Sequence, residues 1–168
     1  MVNGRKFICN KNGLEVIDMP YESEQALFDV ALQTPFFKKL VAGENRAQIV
    51  EPKGLFGIPD LLTIHAKRNN VNKITTTSFE MKLKNWKRAL AQAFKYKAFS
   101  EFSYVVIDHH YAMPAIKNIS KFQLANIGLL SIDTKGRIYR HVTPVKEEPY
   151  CESFRQQLLN LVQPLSQS

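Results

Sequence analysis

The sequence predicts an α/β fold: one domain with a mixed central β-sheet flanked by helices. Strand-like segments, in which apolar and polar residues alternate, are mixed along the chain with segments whose apolar residues recur at helical spacing. The 168 residues are 45% hydrophobic and 23% charged, which is enough for one core and too few for two ordinary domains. We therefore expect a single domain over residues 1–168, with its core over about 21–142.

The N-terminal part of the chain predicts a hairpin followed by a helix. Arg5–Met19 contains two alternating runs around Asn10-Lys11-Asn12-Gly13, and Asn and Gly tolerate the positive φ of a tight turn. Tyr21–Leu32 carries apolar residues at helical spacing behind Ser23, which is a suitable N-cap. We expect Pro35 to end this helix.

The rest of the chain alternates predicted strands and helices. Asn85–Phe102 is the longest helical pattern, and the polar segment Lys67–Lys73 predicts a hairpin loop between two strands. The other predicted elements are strands at Ala47–Val50, Asp60–Ala66, Ile74–Lys82 and Ser103–Asp108, a helix near Ala115–Ala125, strands at Gly128–Ile132 and Arg137–Val142, and a final helix over about Cys151–Val162.

The charge balance favours a polyanionic partner. Lys and Arg number 23 against 15 for Asp and Glu, which gives a net charge of +8 and suits nucleic acid or an anionic membrane surface. No uncharged apolar run approaches the roughly 20 residues needed to cross a bilayer. Cys9 and Cys151 stand far apart, without zinc-ligand spacing. We expect a cytoplasmic protein with reduced cysteines and no membrane partner.

Carboxylates and an amine are predicted to converge at one edge of the sheet. Asp60 opens one predicted strand and Glu80 and Lys82 end the next, where alternation directs Phe79 and Met81 into the core instead. If Asp60 and Glu80 lie on adjacent strands, their oxygens can hold a divalent cation such as Mg²⁺. Such a cation serves phosphoryl chemistry, and Lys82 could orient or deprotonate the attacking water. We expect Glu80 and Lys82 to be exposed.

The helix after this motif is basic. Between Met81 and Ser100 there are six basic residues and no acidic one. Asn85, Gln92 and Tyr96 lie at the border between the apolar and basic faces, where a phosphate backbone could bind. Tyr96 could stack on a base, brace Gln92, or pack with its hydroxyl in water. A solvated surface helix also fits this charge pattern.

These residues in this order resemble the PD-(D/E)xK nuclease superfamily, the fold of many restriction enzymes, Holliday junction resolvases and repair exonucleases. The resemblance covers about Tyr21–Tyr139, with Pro59-Asp60 in place of the family's Pro-Asp and Glu80-Met81-Lys82 in place of its Glu-x-Lys. Glu24 resembles the acidic residue often found on the first helix, because the apolar stripe of that helix passes through it, and Glu22 is the alternative.

A second signature is similar to that of nuclease domains in helicase-nuclease repair enzymes. Gln92 and Tyr96 resemble their glutamine-x-x-x-tyrosine pattern, one helical turn apart. The resemblance therefore implies a restriction endonuclease-like single domain.

The resemblance implies a Mg²⁺-dependent DNA nuclease, an endonuclease by first expectation, in DNA repair, recombination or restriction. Mn²⁺ would substitute for Mg²⁺, and a homodimer would allow two copies of one site to cut both strands. The implied metal ligands are Asp60, Glu80 and Glu24, with Lys82 as the catalytic lysine and Gln92 as a positioning residue. The expected nucleic-acid contacts are Lys84, Lys87, Arg88, Lys95 and Tyr96.

Two alternatives remain open at this point. The chain could keep the nuclease fold as a catalytically inactive module that binds nucleic acid or a protein partner. It could also be a small α/β protein whose basic face meets an acidic protein.

Overall fold

The computed structural model describes residues 5–10, 13–43, 45–67 and 70–162, which form an α/β fold. In chain order the strands are β1 (Arg5–Asn10), β2 (Gly13–Asp18), β3 (Arg46–Val50), β4 (Leu61–Lys67), β5 (Asn70–Lys82), β6 (Phe102–Asp108), β7 (Gly128–Ile132) and β8 (Ile138–Val142). The helices are α1 (Glu24–Gln33), α2 (Pro35–Val41), α3 (Trp86–Tyr96), α4 (Met113–Ile116), α5 (Ile119–Ala125) and α6 (Glu152–Val162), with a 3₁₀ turn at His109–Tyr111. No helix within these ranges is long and apolar enough to span a membrane.

The central sheet is mixed, as predicted. Its six strands lie in the order β3-β4-β5-β6-β7-β8, where β5, β6 and β7 are parallel and the outer pairings are antiparallel. The parallel pairs require crossovers, and the chain passes through α3 and then through α4 and α5 to make them. β1 and β2 pair as the predicted hairpin, whose turn at residues 11–12 lies outside the described residues.

Helices cover both faces of the six-stranded sheet. On one face α1 and α2 pack over a cluster that includes Phe79 and Met81. On the other face α3, α4 and α5 pack over Val105 and Ile107, while α6 buries Leu158 against β4 and β5. Alternate residues of β5 therefore point into different helical layers, so a side chain beside Met81 on this strand is also covered by a helix.

Pro35 begins a helix rather than only ending one. Thr34 is the C-cap of α1 and also the N-cap of α2, where its hydroxyl oxygen accepts a hydrogen bond of 3.4 Å from the N–H of Phe37. Proline is tolerated in the first turn because that turn needs no N–H donor. The sequence prediction therefore missed α2, which places Phe37 in the core.

Three other predicted boundaries were wrong. The helix predicted over Asn85–Phe102 ends at Tyr96, because the next three N–H groups bond to carbonyls three residues back. The helix predicted near Ala115–Ala125 is divided into α4 and α5. The loop predicted at Lys67–Lys73 is shorter, since the β4/β5 ladder continues to a pairing of Lys67 with Asn70; residues 68–69 lie outside the described ranges.

Candidate active site

The structure brings together four of the predicted site residues at the C-terminal end of β5. The antiparallel register pairs Leu61 with Phe79, which places Asp60 beside Glu80. The N–H of Met81 donates a hydrogen bond of 2.6 Å to Oδ2 of Asp60, so the carboxylate continues the β4/β5 ladder. Lys82 ends β5 and reaches Glu24 in the first turn of α1. Two strands and one helix therefore supply this cluster.

Glu80 is a buried carboxylate, which overturns the expectation that it is exposed. Its side chain is 1% exposed because α3 covers this face of β5. Its Oε1 lies 2.9 Å from Nζ of Lys82, and its Oε2 accepts a hydrogen bond of 2.5 Å from the Tyr96 hydroxyl. A buried charge requires such partners, so both oxygens are fixed by their surroundings.

The ammonium group of Lys82 is surrounded by oxygen atoms. Besides its contact with Glu80, Nζ lies 3.1 Å from Oε2 of Glu24 and 3.0 Å from the carbonyl oxygen of Met81. Burial lowers the pKa of Lys82, but its hydrogen bonds and the negative charges of Glu80, Glu24 and Asp60 outweigh burial and raise that pKa above its usual value. Lys82 is therefore protonated at neutral pH, which suits it to orienting a water rather than deprotonating one.

Asp60 is held in an environment that disfavours its charge. Burial, followed by the negative charge of Glu80, raises the pKa of Asp60 to about 6, although the Met81 N–H and Lys82 act in the opposite direction. A second positive charge near both carboxylates would lower this pKa again.

Tyr96 is a buried residue whose hydroxyl contacts the acidic site, which corrects its predicted role in nucleic-acid contact. The residue is 1% exposed, so its ring is not presented to a base. Its hydroxyl contacts Glu80 and lies 3.0 Å from the carbonyl oxygen of Ile58, in the loop that leads to Asp60. A Cβ at Gly57, where φ is +84°, would lie 2.9 Å from Cε1 of the ring. Tyr96 therefore ties the two acidic strand ends together, and only glycine leaves it room.

Gln92 lies beside Tyr96 on α3, as the sequence predicts. The hydrogen bond from Gln92 acts to lower the pKa of the Tyr96 phenol, whose net pKa is raised mainly by burial and then by Glu80. The Oε1 atom of Gln92 is buried and has no hydrogen-bond partner in the part of the chain that the structure describes. The contact of Gln92 with the site is therefore with Tyr96.

A cleft of about 250 Å³ opens beside Asp60 and contains an acidic residue that the sequence reasoning missed. Glu51 follows β3 with φ of +44°, and its N–H donates a hydrogen bond of 3.2 Å to the carbonyl oxygen of Asp60. The sequence did offer a signal for Glu51, because it is an acidic residue directly after β3, and β3 pairs with the strand that follows Asp60. The cleft is lined by Glu24, Gln25, Phe28, Val50, Glu51, Asp60 and Met81.

The oxygen-rich composition of the cluster suits a hard divalent cation, because Mg²⁺ prefers carboxylate and carbonyl ligands. Within the described residues, however, no group of three or more His, Cys, Asp and Glu side chains is arranged to hold a metal ion. The ammonium group of Lys82 already contacts oxygens of Glu80, Glu24 and Met81. A cation at these oxygens would have to displace the ammonium group from at least one of them.

The basic side chains predicted to contact nucleic acid lie on the surface of α3 or just before it. Lys84, Lys87, Arg88 and Lys95 are all exposed. The border residue Asn85 has a structural role as the N-cap of α3, where its Oδ1 accepts a hydrogen bond of 3.2 Å from the N–H of Arg88.

Comparison with protein-family models, with curated proteins and with solved structures finds no match to this chain. The site is therefore interpreted from its own geometry.

Proposed function

We propose that the protein is a Mg²⁺-dependent DNA nuclease of the restriction endonuclease-like, PD-(D/E)xK type, which hydrolyses phosphodiester bonds. One observation carries this proposal: Asp60, directly before β4, lies beside Glu80 on β5, and Lys82 contacts Glu80 at the same strand end. Burial and the negative charge of Glu80 raise the pKa of Asp60, and a carboxylate perturbed in this way is typical of positions that bind cations or move protons. The exposed basic residues of α3 begin directly after this strand end.

Asp60, Glu80 and Glu24 would hold the cation. When bound, it would lower the pKa of a water ligand and stabilise the negative charge that develops on the phosphate. The raised pKa of Asp60 supports this assignment, because a divalent charge would stabilise its ionised form.

The other site residues act without changing their own charge. Lys82, kept protonated by its neighbours, would orient the attacking water and offset charge on the phosphate. Gln92 would be a positioning residue, because it contacts Tyr96, whose hydroxyl contacts Glu80.

One observation favours the second candidate, an inactive module with the same fold that binds nucleic acid. The ammonium group of Lys82 pairs with both Glu80 and Glu24, so much of the acidic charge is neutralised within the chain. Such a protein would bind DNA in a salt-sensitive way that is indifferent to Mg²⁺.

The two candidates are separated by cleavage assays on the purified chain. Supercoiled, linear, single-stranded and branched DNA would be incubated with Mg²⁺, with Mn²⁺ or with EDTA. The test variant is Glu80→Gln, which keeps the shape of the side chain but removes its charge. The matched control is Asp29→Asn, an exposed acidic residue on α1 that accepts a hydrogen bond of 2.8 Å from Gln25.

Metal-dependent cleavage that is lost in Glu80→Gln and kept in Asp29→Asn would support the nuclease, provided that circular dichroism shows both variants folded. Absence of cleavage with every DNA and cation, while salt-sensitive binding persists, would favour the inactive module. Equal loss of cleavage in both variants would contradict the assigned site.

A further inference from the structure

The chain from the end of β5 to the end of β7 exposes positive side chains and no carboxylate. Between residues 82 and 132 the only carboxylates are Glu101 and Asp108, which are 4% and 1% exposed. Glu101 pairs with Arg155 at 2.5 Å, and Asp108 accepts hydrogen bonds of 2.9 Å from the N–H groups of Tyr21 and His110. Neither carboxylate is available to neutralise the basic side chains of α3, α4 and α5.

Aromatic rings lie beside basic side chains that come from different elements. Nζ of Lys84 lies 4.3 Å from the ring centroid of Tyr111, in the 3₁₀ turn. Trp86, at the start of α3, has Nζ of Lys87 at 5.8 Å and Nζ of Lys121, from α5, at 5.6 Å from its ring centroid. These cation–π contacts keep the charges near one another at little cost in hydration, because the ammonium groups remain exposed.

Among the side chains that the structure describes, Lys84, Lys87 and Lys121 have no carboxylate within ion-pair distance. The opposite helical layer differs in this respect. There, α1 and the residues just before it expose Glu22, Glu24 and Asp29, and α2 exposes Lys38 and Lys39. α3 and α5 therefore expose charges of one sign, whereas α1 and α2 together expose both.

We propose that a nucleic-acid backbone leaving the site passes over Lys84 and crosses from α3 to α5 beside Trp86, contacting Lys87 and Lys121. This surface, formed by Lys84, Lys87 and Lys121, begins two residues after Lys82 in the chain. Repeated unpaired ammonium groups suit the repeated phosphates of a nucleic acid. The inference rests on the proposed function for the class of its partner, and it adds α5 to an interface predicted only on α3.

The test measures binding without cleavage. Fluorescence anisotropy of a labelled DNA duplex would be recorded in EDTA over a range of salt concentrations. The test variant is Lys87→Ala/Lys121→Ala. The control variant, Lys38→Ala/Lys39→Ala, makes the same change of net charge on α2.

We expect the slope of log affinity against log salt to fall by about 2 in the test variant, since each phosphate contact contributes about 0.9, and to stay unchanged in the control. Lys121→Ala alone should lower the slope by about 1. An unchanged slope in the test variant, an equal fall in both double variants, or no binding by the unmodified chain would overturn the inference. EDTA removes divalent cations, so this assay reports binding alone. A slope change in the test variant, together with no cleavage when Mg²⁺ or Mn²⁺ is supplied in the separate cleavage assay, would support this surface while contradicting the proposed nuclease.

Discussion

The Tyr96 hydroxyl lies 2.5 Å from Oε2 of Glu80, and both residues are 1% exposed. The contact joins the last turn of α3 to the acidic end of β5. Since a buried carboxylate needs hydrogen-bond donors, Tyr96 is part of what makes Glu80 tolerable in this position. Stability and site geometry should therefore depend on the same hydroxyl.

We expect Tyr96→Phe to lower the free energy of unfolding by about 1–3 kcal/mol, because it leaves a buried acceptor of Glu80 with one partner fewer while keeping the ring. Urea denaturation would measure the change. The control is Tyr150→Phe, which removes the hydroxyl of an exposed tyrosine and should change stability little. Equal changes in the two variants would contradict a specific role of the buried hydroxyl.

Two glycines near the site should respond differently to the same substitution. Gly57 and Gly54 have φ of +84° and +89°, so alanine strains the backbone at both. A Cβ at Gly57 would lie 2.9 Å from the Tyr96 ring, whereas a Cβ at Gly54 has no heavy atom within 4 Å. We therefore expect Gly57→Ala to lower the melting temperature more than Gly54→Ala. Equal melting temperatures would mean that the ring moves aside freely.

The strand pair that carries the site follows from local sequence pattern. Period-two alternation predicts β4 and the end of β5, and their antiparallel register brings Asp60 beside Glu80. What alternation does not predict is how far each face is covered. Glu80 points away from the face of Phe79 and Met81, as predicted, but it meets α3 instead of solvent. Burial of this kind depends on the crossover helix of a parallel pair, which is a long-range feature.

The sequence pattern also failed to predict that Tyr96 is buried against Glu80, because this burial depends on long-range contacts as well. Helical phasing places it at the border of the apolar face of α3, where burial and exposure are both compatible with the pattern. The carbonyl of Ile58 and the space at Gly57, which lie far from Tyr96 in sequence, decide that it is buried. The missed helix α2 is a local failure instead, because a proline after a helix indicates an end as readily as a new start.

The raised pKa of Asp60 makes a pH-dependent prediction in the absence of divalent cations. Its pKa is about 6 in the folded protein and near 3.8 in the unfolded chain. The folded state therefore holds this proton more tightly, and the unfolding free energy falls as pH rises from about 4 to 6. Above pH 6 the ionised Asp60 lowers the free energy of unfolding by about 1–2 kcal/mol. This is less than the energy equivalent of the whole pKa shift, because the side chain is partly exposed.

Asp60→Asn removes this cost and keeps an oxygen that can accept from the Met81 N–H. In EDTA at pH 7 the variant should be about 1–2 kcal/mol more stable than the unmodified chain, and this difference should vanish below pH 4. Chemical denaturation at a series of pH values would measure it, with Asp29→Asn as the control. A variant that is less stable at pH 7, or a difference that does not depend on pH, would contradict the raised pKa.

The sequence left Glu24 and Glu22 as alternatives for the acidic residue at the first helix, and the two residues differ in their contacts with the site. Glu24 contacts Nζ of Lys82 at 3.1 Å and lines the cleft beside Asp60. Its side chain is half exposed, so Glu24→Gln should change the unfolding free energy by less than about 1 kcal/mol.

If Glu24 takes part in the proposed reaction, the same variant should lower kcat at saturating Mg²⁺ at least tenfold, while Glu22→Gln should leave it unchanged. Cleavage assays with both variants side by side measure this. An equal effect of the two substitutions would assign the loss to net charge on α1 rather than to the contact with Lys82.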